Sequence, residues 1–165
     1  MKPIKIILAI IATTVLVAID QWSKSFATNN LMGTPNIIVI ENVLSLTYHR
    51  NAGAAFGILQ GGRWFFIVFA VIILTAISIY YVKLPHDKVH NAIRFSLILI
   101  AAGGIGNSID RILDGFVVDF LRFDFIDFPI FNVADIYVVT GTILMGILVI
   151  FFVKDDKPEK KEDRE

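Results

Sequence analysis

The chain contains no cysteine. That absence excludes disulfides, thiolate nucleophiles and cysteine-based zinc sites together, and it leaves the redox compartment unreadable. Net charge is also missing, because fifteen Lys and Arg offset fifteen Asp and Glu. With no basic field, nothing points to a nucleic-acid partner. Locally, the stretch from Trp64 to Val82 carries no charge at all. What is abundant is apolar: 56% of the residues are hydrophobic and the mean hydropathy is +0.71. A soluble domain runs at about 45–50%.

The excess is gathered into four runs, Ile6 to Phe26, Trp64 to Val82, Phe95 to Leu113 and Ile136 to Val153. Each approaches the roughly 20 residues a helix needs to cross about 30 Å of hydrocarbon. Lys2 and Lys5 before the first run suggest a secretory signal, but no small-x-small cleavage site closes it before Asp20 and three more runs follow. It is therefore read as a retained helix. The expectation is an all-α membrane protein with four transmembrane helices and a single polytopic domain over 1–153. Residues 154–165 form a charged, solvated tail.

Lys and Arg set the orientation. Lys2, Lys5, Lys83, Lys88, Arg94, Lys154, Lys157, Lys160, Lys161 and Arg164 lie on one side, and Lys24, Arg50, Arg63, Arg111 and Arg122 on the other. The richer side is expected to be cytoplasmic and to hold both termini. Segments 27–63 and 114–135 then face outward. Within the first, Asn36 to Tyr48 is rich in Ile, Val, Leu and Thr and reads as short strands or a hairpin at the membrane surface. Asn51 to Gly62 reads as a short interfacial helix. Its Gly53, Gly57, Gly61 and Gly62 permit hinge-like movement, and Phe56, Ile58 and Leu59 could rest on the membrane or cover a substrate.

Eight acids lie on the outer side or at its border: Asp20, Glu41, Asp110, Asp114, Asp119, Asp124, Asp127 and Asp135. Asp110, Asp119 and Asp135 sit among apolar neighbours, where a carboxylate is costly and needs a partner or a wet cavity. Asp119 and Asp135 flank one connection, so they can approach each other. Two carboxylates held close cannot both ionise readily, and such a pair activates water without metal or covalent intermediate. Acid pairs in membranes also bind cations or relay protons. Simpler roles compete. Asp110 beside Arg111 reads as a structural pair, and Asp20 with Lys24 as an i,i+4 ion pair marking the interface. Asp124 and Asp127 read as loop charges. Asp135 could simply favour the dipole of its helix. His49 reads as an interfacial polar residue. His86 and His90 have helical zinc spacing but lack the accompanying glutamate. No metal or cofactor is expected.

Five ordered pieces together resemble the lipoprotein signal peptidase (signal peptidase II) family. They are Asp20-Gln21-x-x-Lys24; Arg50-Asn51-x-Gly53-Ala54-Ala55-Phe56-Gly57; Gly103-x-x-Gly106-Asn107-x-x-Asp110-Arg111; Gly115-x-Val117-x-Asp119-Phe120; and Phe128-Pro129-x-Phe131-Asn132-x-Ala134-Asp135. The resemblance implies an aspartyl endopeptidase of the bacterial cell membrane. It would remove signal peptides from prolipoproteins, cutting before a cysteine that bears diacylglycerol. It implies Asp119 and Asp135 as catalytic dyad, and Asn51, Gly53, Asn107, Arg111 and Asn132 as substrate-binding or supporting residues. Asp20, Lys24 and Asp110 become structural groups behind them, and 27–63 an extracytoplasmic platform. Membrane lipids and globomycin-type cyclic peptide inhibitors are implied as partners. Asn107 and Asn132 could orient carboxylates or bind a developing oxyanion.

Two other classes compete with this reading. A small ion or proton transporter would also carry intramembrane acids, but here they crowd one face rather than the midplane. A scaffold would not need matched acids at the borders of two spans. Among other intramembrane proteases, Ile109 before Asp110 breaks the presenilin-type Gly-x-Gly-Asp, and no rhomboid-type Gly-x-Ser-Gly occurs.

Overall fold

A computed structural model describes residues 3–53 and 59–153. Four helices are long and apolar enough to cross a membrane: α1 (Pro3–Leu31), α2 (Arg63–Lys83), α3 (Lys88–Leu113) and α4 (Val133–Phe152). Between them lie three strands, β1 (Ile37–Ile40), β2 (Leu44–Asn51) and β3 (Val117–Phe123), in one antiparallel sheet of order β1-β2-β3. Of the interfacial helix expected over Asn51 to Gly62, residues 54–58, with Phe56 and Ile58, lie outside the described residues, as do Lys2 and the tail 154–165, while Asn51 ends β2 and 59–61 form a turn.

The helices are longer than the apolar runs, and the reasons are local. α1 continues past Phe26 because its polar residues satisfy their hydroxyls and amides on the helix itself. Thr28 donates to the Lys24 carbonyl at 2.9 Å and Asn30 to the Phe26 carbonyl at 2.8 Å. At about 1.5 Å per residue its 29 residues outrun the bilayer and carry its last turns to the sheet. α3 begins at Lys88 because the Asp87 carboxylate caps it, accepting the His90 amide at 2.9 Å. Asp87 also holds the His90 ring. His86 precedes the helix, so the two histidines do not share a helical face. α4 starts three residues early because Asn132 caps it.

α3 is the centre of the bundle and packs against α1, α2 and α4. By contrast α2 has no buried residue, and large side chains such as Trp64, Phe65 and Ile72 point outward. Apolar residues outside and polar groups inside is the arrangement hydrocarbon demands. Small residues let α3 and α4 approach closely. A Cβ at Gly103 would collide with the Ala134 carbonyl, and one at Gly141 would lie 2.7 Å from the Ser96 carbonyl.

The β1–β2 hairpin matches the strands expected over 36–48, with Asn42 at φ 59° in its turn. Strand β3 was not anticipated. Residues 114–135 carry no strand pattern of their own, yet β3 pairs along β2, placing Asp119 opposite His49. Beyond it, Phe131 exchanges backbone hydrogen bonds with Leu121, which pins the approach to α4. Ala27 and Leu31 of α1 pack against Val118 and Phe120 of β3 and seat the sheet on the bundle.

Candidate active site

Asp119 and Asp135 converge where β3 meets the start of α4. Asp119 is buried and Asp135 half-buried at a cavity. One residue joins them. Asn132 Nδ2 donates to Asp119 Oδ1 at 2.7 Å, while the Asn132 backbone N–H donates to Asp135 Oδ2 at 3.1 Å. Asp135 is thus both the third residue of a capping box and half of the acid pair. The helix-starting role expected for it therefore does not remove it from the pair.

Three asparagine amides have no freedom to flip, because each oxygen already accepts a fixed donor. Asn132 Oδ1 takes the Asp135 backbone N–H at 3.0 Å. Asn51 Oδ1 takes the Gly53 N–H at 3.0 Å, so its Nδ2 faces Asp119 Oδ2 at 2.9 Å. Asn107 Oδ1 takes Lys24 Nζ at 2.9 Å and Asn132 Nδ2 at 3.2 Å, so its Nδ2 faces Asp135 Oδ1 at 2.8 Å. Every amide therefore presents N–H to the two carboxyl groups.

Beneath this lies a buried charge cluster. Lys24 is 3% exposed and uses all three protons, on Asp20 Oδ2 at 2.9 Å, Asp110 Oδ2 at 2.8 Å and Asn107. Asp20 Oδ1 accepts the Ala134 N–H at 2.9 Å, so α1 caps the first turn of α4. A Cβ at Gly106 would strike that carboxylate, which explains a glycine there. The Asp20–Lys24 pair does not merely mark the interface; it is inside the protein.

The expected Asp110–Arg111 pair is not formed. Adjacent helical residues point about 100° apart. Asp110 turns to Lys24, whereas Arg111 donates to the Gly53 carbonyl at 2.9 Å and lies 4.6 Å over the Phe66 ring. Gln21, of the Asp20-Gln21-x-x-Lys24 piece, joins the cluster as well. Its Nε2 donates to Asp110 Oδ1 at 2.7 Å and to the Gly106 carbonyl at 3.2 Å, closing the far side of the cluster. Asp124 accepts from Ser45 at 2.9 Å, and Asp127 is an exposed loop charge. His49 is exposed.

Burial pushes the Asp119 carboxyl up to about 7. Hydrogen bonds from Asn51 and Asn132 oppose the rise, and the charge of Asp135 adds to it. The cavity beside the pair has a volume near 480 Å³ and is walled by Phe128, Ile136 and Val139 among others. A second cleft of about 410 Å³, reaching Phe66 and Leu74, meets the first at Asn107, Arg111 and Asp135. Polar groups at the junction of two apolar clefts suit an amphiphilic chain. No group of three His, Cys, Asp or Glu placed to hold a metal occurs among the described residues.

The family model described as signal peptidase (SPase) II matches residues 12–152. The chain belongs to the signal peptidase II family. Among similar proteins, the lipoprotein signal peptidase of Clostridioides difficile (strain 630) is 45% identical over 145 residues, covering 88% of this chain and 96% of the other. That of Streptococcus thermophilus (strain CNRZ 1066) is 44% identical over 149 residues, covering 90% and 94%. A solved bacterial membrane enzyme, determined by the in meso method at 2.3 Å resolution, superposes with TM-score 0.80 at 35% identity, covering 96% of this chain and 94% of that one. A signal peptidase II is a membrane protease, and the four spans fit that class.

Proposed function

We propose that this signal peptidase removes signal peptides from diacylglyceryl-modified prolipoproteins, cutting before the lipidated cysteine by an aspartyl mechanism. Its relatives are named lipoprotein signal peptidases, which supports the substrate class. The observation that carries the mechanism is the pair Asp119 and Asp135 held by one Asn132, with Asp119 pushed up to about 7. Asp119 keeps its proton. Asp135, at the positive end of α4, acts as base. Asp135 takes a proton from water as the water oxygen attacks the scissile carbonyl carbon, and Asp119 protonates the carbonyl oxygen. On collapse the C–N bond breaks, the amine takes the proton from Asp135, and Asp119 regains its own. Asn51, Asn107 and Asn132 orient the carboxyls. Arg111 fixes the backbone at Gly53 beside them, and Asp20, Lys24 and Asp110 brace Asn107 and the start of α4.

The two clefts suit a substrate that is a bilayer helix with acyl chains beside it. The distribution of Lys and Arg supports an orientation with both termini in the cytoplasm and the dyad at the outer face. Membrane lipids border the site, and globomycin-type cyclic peptides would compete for it. The direct test gives purified enzyme a diacylglyceryl-cysteine peptide and reads the product by mass spectrometry. A product beginning at the lipidated cysteine is expected, and cleavage elsewhere or none sinks the proposal.

Two further outcomes follow from the mechanism. Because the active form needs a proton on Asp119, kcat/KM should fall as pH rises through about 7. A profile still rising at pH 9 would contradict that assignment. Cleavage should also survive strong chelation, since an acid pair needs only water. Loss with EDTA, restored by one specific metal, would move the enzyme to another class.

A further inference from the structure

A third cavity of about 520 Å³ shares no wall residue with the acid-pair cavity and only Leu74 with the second cleft, and it has no part in the mechanism. It opens because α1 and α2 each pack on α3 but stand apart from one another. Its walls are apolar apart from Thr13, Thr14, Ser78 and Tyr81. The Ser78 hydroxyl is spent on the Leu74 carbonyl of its own helix. Along α1 the lining runs from Ile6 to Val17. That span is about 16 Å of helix, half the roughly 30 Å hydrocarbon core, so the cavity is one leaflet deep.

Its end beside Lys5, away from the acid pair, is cationic. Lys5 directly precedes Ile6, and Tyr81 lies under the Arg94 guanidinium at 5.6 Å from the ring centroid. Arg94 is 3% exposed and spends its donors on neutral groups, the carbonyls of Tyr81, Leu84 and Pro85 and the Asn91 amide oxygen. It contributes a positive field but no free donor. His86, exposed in the α2–α3 connection, is held below the ordinary imidazole value by desolvation and by the neighbouring Lys5 and Arg94 charges. The nearest acid in sequence, Asp87, is occupied by His90 and the α3 cap. Among the described residues no carboxylate comes within ion-pair distance of Lys5 or Arg94.

We propose that this cleft is a binding site for one anionic phospholipid of the leaflet opposite the acid pair, with an acyl chain between α1 and α2 and its phosphate at Lys5 and His86. Depth selects a single leaflet, the apolar walls select the chain, and the uncompensated cations select the headgroup.

The test uses full-length enzyme, stripped of lipid in detergent and given equal amounts of phosphatidylglycerol and phosphatidylcholine with matched chains. Bound lipid is read by native mass spectrometry. The expected result is a phosphatidylglycerol preference of about fivefold, what one cation near an anionic headgroup supplies. Joint replacement Lys5→Gln and His86→Gln should erase the preference while peptide cleavage stays unchanged. Ala101→Trp should lower retention of both lipids, and Ser78→Phe fills the cleft from the other wall should the first variant fail to fold. Equal retention of the two lipids by the wild type would overturn the proposal, as would a preference that survives the charge variant. So would unchanged retention in a folded cleft-filling variant, which would place the lipid elsewhere.

Discussion

Asp119→Asn and Asp135→Asn should each lower the cleavage rate by roughly 100- to 10,000-fold, the range a positioned acid or base contributes. Both proteins should still accumulate in the membrane. The two substitutions act differently on the fold. At Asp119 the asparagine resembles the protonated acid, but two donors, from Asn51 and Asn132, converge on its two oxygens. One of them will then face an NH2 group, a loss of about 1–3 kcal/mol. At Asp135 the amide weakens the capping box and so loosens the first turn of α4. Thermal melting beside turnover separates these costs from catalysis. Near-normal turnover by either variant would remove that residue from the pair.

Lys24→Met should be the most damaging change to stability. It would leave Asp20 and Asp110, both buried, facing each other without the cation they share. Stranding buried charge costs about 3–5 kcal/mol, roughly 10 °C in melting temperature. Adding Asp110→Asn to Lys24→Met should recover part of the loss, because one of the two like charges is gone. Arg111→Ala strands no acid, since Arg111 rests on carbonyls and the Phe66 ring. It should cost activity more than melting temperature. Equal melting of Lys24→Met and wild type would mean the cluster holds nothing together.

The spans were legible because hydrocarbon imposes a long apolar run on any crossing helix. Their ends were not, because caps such as Asp87 and Asn132 and the polar continuation of α1 lie outside the apolar signal. The hairpin was legible from its β-branched residues. Strand β3 was missed because its Asp119 and Arg122 were read as site and charge rather than as positions on a ladder. The acids of the site stood out by their apolar neighbours. Their pairing did not, since neighbours in sequence suggested Asp110 with Arg111 while the helix turns them apart. Gln21 gave no signal of its own; a glutamine one position after an acid has no pattern that places it against a helix 85 residues away.

The first turn of α4 is held by Asp135 from within and by Asp20 from across the bundle. Under the proposed mechanism, chemistry and helix initiation share one carboxylate. Helix ends open locally at far smaller free energies than whole folds. On warming, a fray of that single turn would separate Asp135 from Asn132 and dissolve the pair while the four spans stayed in the bilayer. With Asp135 as the base, the working temperature ceiling of the enzyme would be that of one helical turn, below the temperature at which the bundle itself comes apart.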